Sequence, residues 1–534
     1  MTDIDSAISN ALTRESSKRQ ISCLRERFPA LKACNNSQFL SLEKYLDCIP
    51  YQLFSEAASE TFLSWLDERH TRSSAALKSY LQVNEAEIDQ AFLHLEEINS
   101  YQWHDELLPD DEFQTTRFID QRIHPAYLRL LEAVFAPFLR IPAHFNRIDR
   151  TAGTMGLDLW SIVQELQGGV FAGTLQSYKH VVRNGIGHGG IIYGARTICY
   201  RDKKDNKEEY DHREIVRLFD DLLDTCNGLC LGLSLFLLIR KNDGYDIPRQ
   251  LLIEELCAET RAPWWEIVGC IPSQIPGKRQ LVIYARCGTS DHRKVTFSVV
   301  QSGILAERFV SGFNRYVFSL RSERAWPGFA ALDGDQLRVL REQNRPFEEY
   351  GNVLEDKLVF YMPRIRIPRF FAWLETLWIS LRLHWRQACA DYRKQIGKAD
   401  VMSRGAKIHR NGWGCVLRGQ VWLPDIGATP DQEAIRQSSR RIIQAALSEA
   451  RRDASRLRIV RYLPLGFARI SVFRRNYRKR RLVNFGLSKD LICTVQIQRI
   501  RRISAPDISG STVEQHGQYR IAWNRSWLEE RARF

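Results

Sequence analysis

The chain has 534 residues, of which 44% are hydrophobic and 26% are charged, a balance typical of globular rather than disordered proteins. This length exceeds what one core usually organises, so roughly three or four domains are expected. The formal net charge is +14, and residues 401–534 contain 27 Lys and Arg against 10 Asp and Glu. The positive charge therefore belongs to the C-terminal quarter, where it could attract a polyanion.

The sequence argues against several classes of protein. Its twelve cysteines form no CxxC pair and lack the clustered Cys and His spacing of zinc sites, so we expect reduced thiols, no metal and no other cofactor. No Walker-type nucleotide loop is present. The first ten residues are acidic and polar, unlike a signal peptide, and the longest apolar run, 228–239, is shorter than the roughly 20 residues that span a bilayer. These features predict a soluble cytoplasmic protein that does not contact a membrane.

The fold class predicted is α+β with several domains. Residues 1–110 carry apolar side chains at helical spacing and are interpreted as an N-terminal helical region. The acidic, Pro-containing stretch 108–113 is interpreted as a linker. A second helical segment follows at 123–145, which Pro137 and Pro142 are expected to bend or end.

Residues 183–190 read RNGIGHGG and follow a helical stripe of apolar side chains that runs from Leu175 to Val182. The stripe predicts that Arg183 lies in the last turn of a helix, because the glycines that follow it are a stop signal. Side chains five positions apart in an unbroken helix differ in direction by about 140°. A turn broken by glycine is therefore predicted to bring His188 back toward Arg183.

Beyond this motif, residues 196–200 predict a short strand and residues 203–208 a polar turn. Asp211 and Glu214 have the spacing of a capping box, and apolar positions then recur at helical spacing to about Arg240. We expect this long helix to pack against the helix that carries Arg183. Residues 111–245 are therefore predicted to form one helical domain.

The residue composition of the sequence changes after Tyr245. Residues 264–271, 280–287 and 294–301 are rich in β-branched and aromatic residues and predict strands of a small antiparallel sheet. A further extended piece is expected at 358–371, followed by a Trp-rich helix near 373–385. These elements define a mixed β-rich region, 246–425. The basic C-terminal region, 426–534, is predicted to begin with a helix at Thr429 and Pro430.

The motif contains the groups needed to cut RNA without a metal. His188 can accept or donate a proton at neutral pH, and Arg183 offers a permanently charged planar fork that fits phosphate oxygens. Asn184 could orient the histidine or the phosphate. The glycines would let a nucleic-acid backbone approach closely.

Arg183, Asn184 and His188, followed by Gly189, resemble the motif of the HEPN ribonuclease family, in which an Arg and a polar residue precede a His by a few positions. The resemblance covers about residues 124–241, where the capped helix is similar to the family's last helix. It implies a helical bundle that forms a homodimer, in which two motifs face one composite site. It also implies a metal-independent endoribonuclease that leaves 2′,3′-cyclic phosphate and 5′-hydroxyl ends. A large ribonuclease of this kind resembles those family members that act as toxins or antiviral abortive-infection effectors.

Other interpretations of the motif remain open. Similar spacing occurs at Arg117 and His124, Arg286 and His292, and Arg404 and His409, which we treat as coincidences because a polar second residue and a capped helix are missing there. RNGIGHGG could instead be a helix C-cap whose Arg and His satisfy carbonyls. A HEPN-like scaffold without activity that binds nucleic acid or a protein is the alternative function.

Further RNA contacts are expected outside the motif. Lys179 could touch RNA, although a lone Lys on a helix is usually only solvated. The basic cluster combines cations with the flanking aromatics Phe473 and Phe485, a composition suited to phosphates and bases; its cations are Arg474, Arg475, Arg478, Lys479, Arg480 and Arg481. Such runs also occur on solvated faces or against acidic partners. A regulatory protein or ligand is a further expected partner.

Overall fold

A computed structural model describes the chain in several stretches. They are residues 21–33, 39–46, 54–101, 112–194, 197–323, 325–364, 368 and 370–382, together with six strands between 401 and 524. Within them the fold is a mixture of helices and sheets, which confirms the α+β class.

The first unit is helical. Its α-helices are Glu56–Val83 (α1), Glu85–Ser100 (α2), Glu112–Phe118 (α3), His124–Leu130 (α4), Ala136–Asp149 (α5), Leu159–Leu166 (α6), His180–His188 (α7) and His212–Ile239 (α8). The π-turns Ile119–Ile123 and Leu131–Phe135 join α3, α4 and α5 into one continuous rod. Pro137 and Pro142 therefore do not end the helix: Pro137 lies at its start, and α5 continues past Pro142 to Asp149. Residues 21–27 are also helical, and the unit further contains short 3-10 helices at Pro29–Ala33, Leu40–Tyr45, Thr174–Ser177 and Lys241–Asp243.

The long helix α8 is the centre of this unit. The predicted capping box starts it: the Asp211 N–H donates to Glu214 Oε2 and the Glu214 N–H to Asp211 Oδ1, each at 2.8 Å. A Cβ atom at Gly228 would lie 2.5 Å from the Ser55 carbonyl oxygen, and one at Gly232 would lie 2.8 Å from that of Ser59. These two glycines therefore let α8 and α1 pack backbone to backbone.

One hydrophobic core runs from Phe62 to Tyr245 and includes side chains from α1, α2 and α8. The core thus crosses the boundary predicted at residue 110, and the N-terminal helices share it with the segment that carries the motif. Helix α8 is long and apolar enough to cross a membrane by length and composition, yet 83% of its most apolar window is buried inside the protein. That burial is typical of a core helix.

Between α7 and α8 in the sequence, the chain forms a three-stranded antiparallel sheet. Its strands are Ile191–Tyr193 (β1), Thr197–Arg201 (β2) and Lys207–Asp211 (β3). The strand predicted at 196–200 corresponds to β2, and the polar turn predicted at 203–208 connects β2 to β3, which already begins at Lys207. The sheet packs against the end of α7 and so positions the motif.

The second unit contains a five-stranded sheet. Its elements are Arg249–Thr260 (α9), Trp265–Ile275 (β4), Lys278–Cys287 (β5), His292–Phe309 (α10), Arg315–Arg321 (β6), Gly328–Asp333 (β7), Gly334–Glu342 (α11), the 3-10 helix Phe347–Val353 and Leu354–Phe360 (β8), followed by a helix at 370–382. The strand predicted at 294–301 is wrong, because these residues form part of α10 and bury Val295 and Val299 against the sheet. Strands β5 and β6 are consequently parallel and the sheet is mixed rather than antiparallel.

The C-terminal strands form a third sheet in the order β13-β14-β12-β11-β10-β9. They are Val401–Ile408 (β9), Cys415–Leu423 (β10), Leu465–Arg474 (β11), Leu491–Arg499 (β12), Ser511–His516 (β13) and Tyr519–Asn524 (β14). Strand β10 pairs with β11 in parallel, so the sheet crosses the boundary predicted at residue 425. The helix predicted at Thr429 and Pro430 lies outside the described residues.

Candidate functional site

Helix α7 presents the motif, but its bounds differ from the prediction. Residues Thr174–Ser177 form a 3-10 helix, Tyr178 and Lys179 are extended, and α7 begins only at His180. Tyr127 fixes the segment that leads into α7, since its hydroxyl donates to the Ser177 carbonyl and accepts from the Lys179 N–H. Arg183 therefore lies near the start of the helix and not in its last turn.

Glycines end α7 after His188. Gly189 has a φ of 74°, the left-handed conformation that favours glycine at a helix end, and the Gly190 N–H donates to the Gly185 carbonyl at 2.7 Å. A Cβ atom at Gly190 would lie 2.1 Å from the Arg201 carbonyl oxygen. The prediction that the motif's glycines admit an RNA backbone is therefore wrong for Gly190, which admits strand β2 of the same chain.

Arg183 is held by two acceptors. Its Nε and Nη2 donate to Glu132 Oε1 at 2.8 and 2.5 Å, and its Nη1 donates to Asn184 Oδ1 at 2.9 Å. Glu132 lies on the π-turn between α4 and α5. The arginine side chain is 32% exposed and that of Glu132 is 45% exposed, so the guanidinium stays within reach of solvent.

Asn184 connects Arg183 to His180. The Asn184 Nδ2 lies 2.9 Å from His180 Nε2, and His180 Nδ1 lies 3.0 Å from the Tyr178 hydroxyl. The imidazole packs on Trp160 of α6 with 4.4 Å between ring centroids. The structure thus makes His180 part of the motif's hydrogen-bond network.

His188 does not meet Arg183 in this chain. Helix α7 is unbroken from His180 to His188, so the two side chains point about 140° apart, and the predicted turn between them is wrong. His188 is exposed, and within the described residues it forms no hydrogen bond or ion pair. It lies one turn beyond Asn184, so the amide and the imidazole share one face of the helix.

The surroundings of the motif are mixed in charge. Hydrogen bonds from the side chain and backbone of Ser161 lower the pKa of Asp158, and the nearby positive charge of Arg183 lowers it further. Lys179 lines an open groove of about 880 Å³ beside the starts of α1 and α8. The groove wall also carries Arg217 and four carboxylates, those of Glu56, Glu214, Asp221 and Asp224. The acidic side chains outnumber the two cations, and this excess of negative charge does not suit a phosphate backbone. The expectation that Lys179 touches RNA thus gains no support from this groove.

The other three Arg and His pairs differ from the motif. His124 is 2% exposed and its Nε2 lies 2.7 Å from the Tyr200 hydroxyl. The His292 Nε2 donates to the Val359 carbonyl at 3.0 Å. Arg404 lies in strand β9, and His409 is outside the described residues. His124 is therefore buried and hydrogen-bonded, whereas His292 is exposed but hydrogen-bonded to the backbone.

The described residues contain no group of three or more His, Cys, Asp or Glu side chains arranged to hold a metal ion. Of the predicted basic cluster, Arg474 ends strand β11, whereas Arg475, Arg478, Lys479, Arg480 and Arg481 lie outside the described residues.

Sequence reasoning missed Glu132, His180 and Tyr178. A signal for His180 existed, because it lies four residues before Asn184 and such pairs face each other on a helix. No comparable signal marked Glu132, which approaches Arg183 only through the packing of two helices.

Comparison of the chain with protein-family models, with curated proteins and with solved structures found no match.

Proposed function

We propose that the chain is a metal-independent endoribonuclease whose site is built on a HEPN-like helical domain around α7. The observation that carries this proposal is the motif's arrangement: a partly exposed Arg183 is hydrogen-bonded to Asn184, and His188, which is exposed and has no partner among the described residues, lies one turn beyond Asn184 at the end of α7. These are the groups that RNA cleavage by its own 2′-hydroxyl requires.

The reaction is an internal displacement. The 2′-oxygen attacks phosphorus and forms a new P–O bond while a histidine removes the 2′-hydroxyl proton. The P–O5′ bond breaks, and a protonated histidine returns a proton to the 5′-oxygen. The products are a 2′,3′-cyclic phosphate and a 5′-hydroxyl, with no metal or other cofactor. Arg183 stabilises the charge on the phosphoryl oxygens, and positioned proton transfer by His188 contributes roughly 100- to 10,000-fold.

A homodimer suits this geometry. Arg183 and His188 diverge on one helix, so a site that uses both in one step is completed most simply by a second copy of α7. Each copy would supply an arginine to the phosphate and a histidine to a proton transfer.

The chain's role would be that of a toxin or antiviral effector, with a regulatory protein or ligand holding it inactive. This part of the proposal rests on the resemblance of the motif alone. The second candidate is a HEPN-like scaffold without activity that binds nucleic acid or a protein, favoured by the Glu132 carboxylate that already occupies Arg183.

The two candidates separate when purified full-length chain is incubated with labelled single-stranded RNA in excess EDTA. The ribonuclease predicts cleavage with cyclic phosphate ends by the wild type and none by His188→Ala or Arg183→Ala. Arg286→Ala is the matched control, because Arg286 also forms one surface ion pair with a glutamate, Glu266, and precedes a histidine at similar spacing. RNA binding without cleavage, or cleavage that His188→Ala retains, contradicts the ribonuclease. Growth inhibition on induced expression, lost in His188→Ala, tests the proposed toxicity.

A further inference from the structure

The hydrogen-bond chain around Asn184 has only one consistent set of proton positions. Arg183 Nη1 is always a donor, so the Asn184 atom that faces it at 2.9 Å must be the amide oxygen. The reversed amide would set an NH₂ group against an N–H of the guanidinium. The Asn184 NH₂ group consequently faces His180 and must donate to it.

The donor from Asn184 fixes the state of the imidazole. His180 Nε2, 2.9 Å from Asn184 Nδ2, has to be an unprotonated acceptor, so the single ring proton is on Nδ1. That N–H points to the Tyr178 hydroxyl at 3.0 Å. A second proton on Nε2 would put two donors face to face, and Asn184 could accept it only by turning its oxygen away from Arg183.

We propose that His180 is a positioning residue: in its neutral form it orients the amide of Asn184, and the amide in turn holds the guanidinium of Arg183. Its effect on RNA cleavage rests on the proposed ribonuclease function. Three of the five guanidinium N–H groups are engaged by Glu132 and Asn184. The remaining two, one on each Nη, have no acceptor among the described residues and are available to donate to a phosphate oxygen.

The groups that face His180 come from four elements. Trp160 of α6 covers one side of the ring, Tyr178 takes the Nδ1 proton, Asn184 of α7 faces Nε2, and Asp202 of the turn between β2 and β3 is close enough for His180 to influence it electrostatically. Trp160 and Tyr178 contact the ring and restrain its orientation. The amide orientation is therefore set before any ligand arrives.

The proton positions can be measured without any activity. In the full-length protein labelled with ¹⁵N-histidine, the His180 signal is identified by its loss in His180→Gln. The proposal predicts a neutral ring at neutral pH with the protonated-type shift at Nδ1. A ring protonated at Nε2, or at both nitrogens, overturns it.

Cleavage kinetics test the consequence for the site. The side-chain oxygen of glutamine replaces Nε2 as an acceptor, so His180→Gln should retain kcat within about threefold, whereas His180→Leu should lower kcat at least about tenfold with KM changed less than about threefold. A purely structural role would instead impair both variants alike, in step with their thermal stability. Wild-type kcat in a folded His180→Leu, or an equal loss in both variants, overturns the proposal.

The two proposals fail in different ways. Cleavage that requires His188 but is indifferent to His180→Leu removes the positioning role and leaves the ribonuclease. If His180 is neutral and protonated at Nδ1 but the protein cleaves no RNA, the orientation of Asn184 by His180 stands and the ribonuclease proposal is rejected.

Discussion

Arg183 donates two hydrogen bonds to a single carboxylate oxygen of Glu132, so the motif's arginine is partly neutralised before any ligand binds. The pair is about one-third to one-half exposed, and pairs of this kind contribute only about 0–1 kcal/mol to stability. A phosphate, which carries charge on several oxygens, can therefore compete with Glu132 for the guanidinium. The Glu132 carboxylate would hold the Arg183 side chain in place until an RNA phosphate replaces it as the hydrogen-bond acceptor.

We expect Glu132→Gln to tighten RNA binding, because a neutral amide competes less well with phosphate for Arg183. The gain should be about two- to fivefold, the equivalent of an exposed ion pair. It is measured as the Kd of fluorescein-labelled single-stranded RNA in a His188→Ala background, which prevents cleavage. Glu266→Gln is the matched control, since it removes the exposed pair with Arg286 on the sheet and should leave Kd unchanged. Weaker binding by Glu132→Gln would mean that Glu132 positions Arg183 and does not compete with phosphate.

Two glycines of the motif should respond oppositely to alanine. At Gly190 a Cβ atom would meet the Arg201 carbonyl at 2.1 Å, whereas at Gly187 nothing lies within 4 Å. Gly190→Ala should therefore push β2 away from α7 and lower the thermal midpoint by several degrees. Gly187 lies in the last turn of α7, so Gly187→Ala should match or exceed wild-type stability by up to about 1 kcal/mol. Equal midpoints for the two variants, measured by differential scanning calorimetry, would contradict this packing.

The sequence predicted α8 well because two local signals agree there. The capping box of Asp211 and Glu214 starts the helix, and its apolar stripe faces the core. Residues 294–301 were predicted as a strand because they are rich in β-branched residues. They form a helix instead, because the helix buries Val295 and Val299 against the sheet. Tertiary packing here outweighs a propensity difference that is only about 1 kcal/mol over the whole scale.

The site was predicted only in part for a similar reason. Arg183, Asn184 and His188 were identified from residue type and spacing, which are local. The helix bounds were placed too early, so the glycines were expected to break the helix between Arg183 and His188, whereas they end it at Gly189. Glu132 is 51 positions from Arg183, and only the packing of α7 against the α4–α5 rod brings the two together.

The basic cluster gives a prediction from the sequence that does not depend on α7. Replacing Arg478, Lys479, Arg480 and Arg481 with Ala should weaken binding of single-stranded RNA and flatten its dependence on salt. Each phosphate contact contributes about 0.7 to the slope of log K against log salt, so four contacts would account for up to about three. The measurement is a salt titration of Kd for wild type and variant. An unchanged slope would exclude this cluster from the RNA contact.

Buried His124 predicts how the helical unit responds to acid. Burial lowers the pKa of its imidazole from 6.5 to about 4, even though Asp120 acts in the opposite direction. Between these two values the unfolded chain binds more protons than the folded one, so the free energy of unfolding falls as the pH falls and levels off below about 4. From pH 7 to pH 5 the loss should be about 2 kcal/mol. His124→Gln keeps a polar group beside the Tyr200 hydroxyl but does not titrate, so its stability should change less over this range. Urea unfolding at the two pH values, followed by circular dichroism, gives both differences, and equal losses in wild type and variant would show that His124 is not the group responsible.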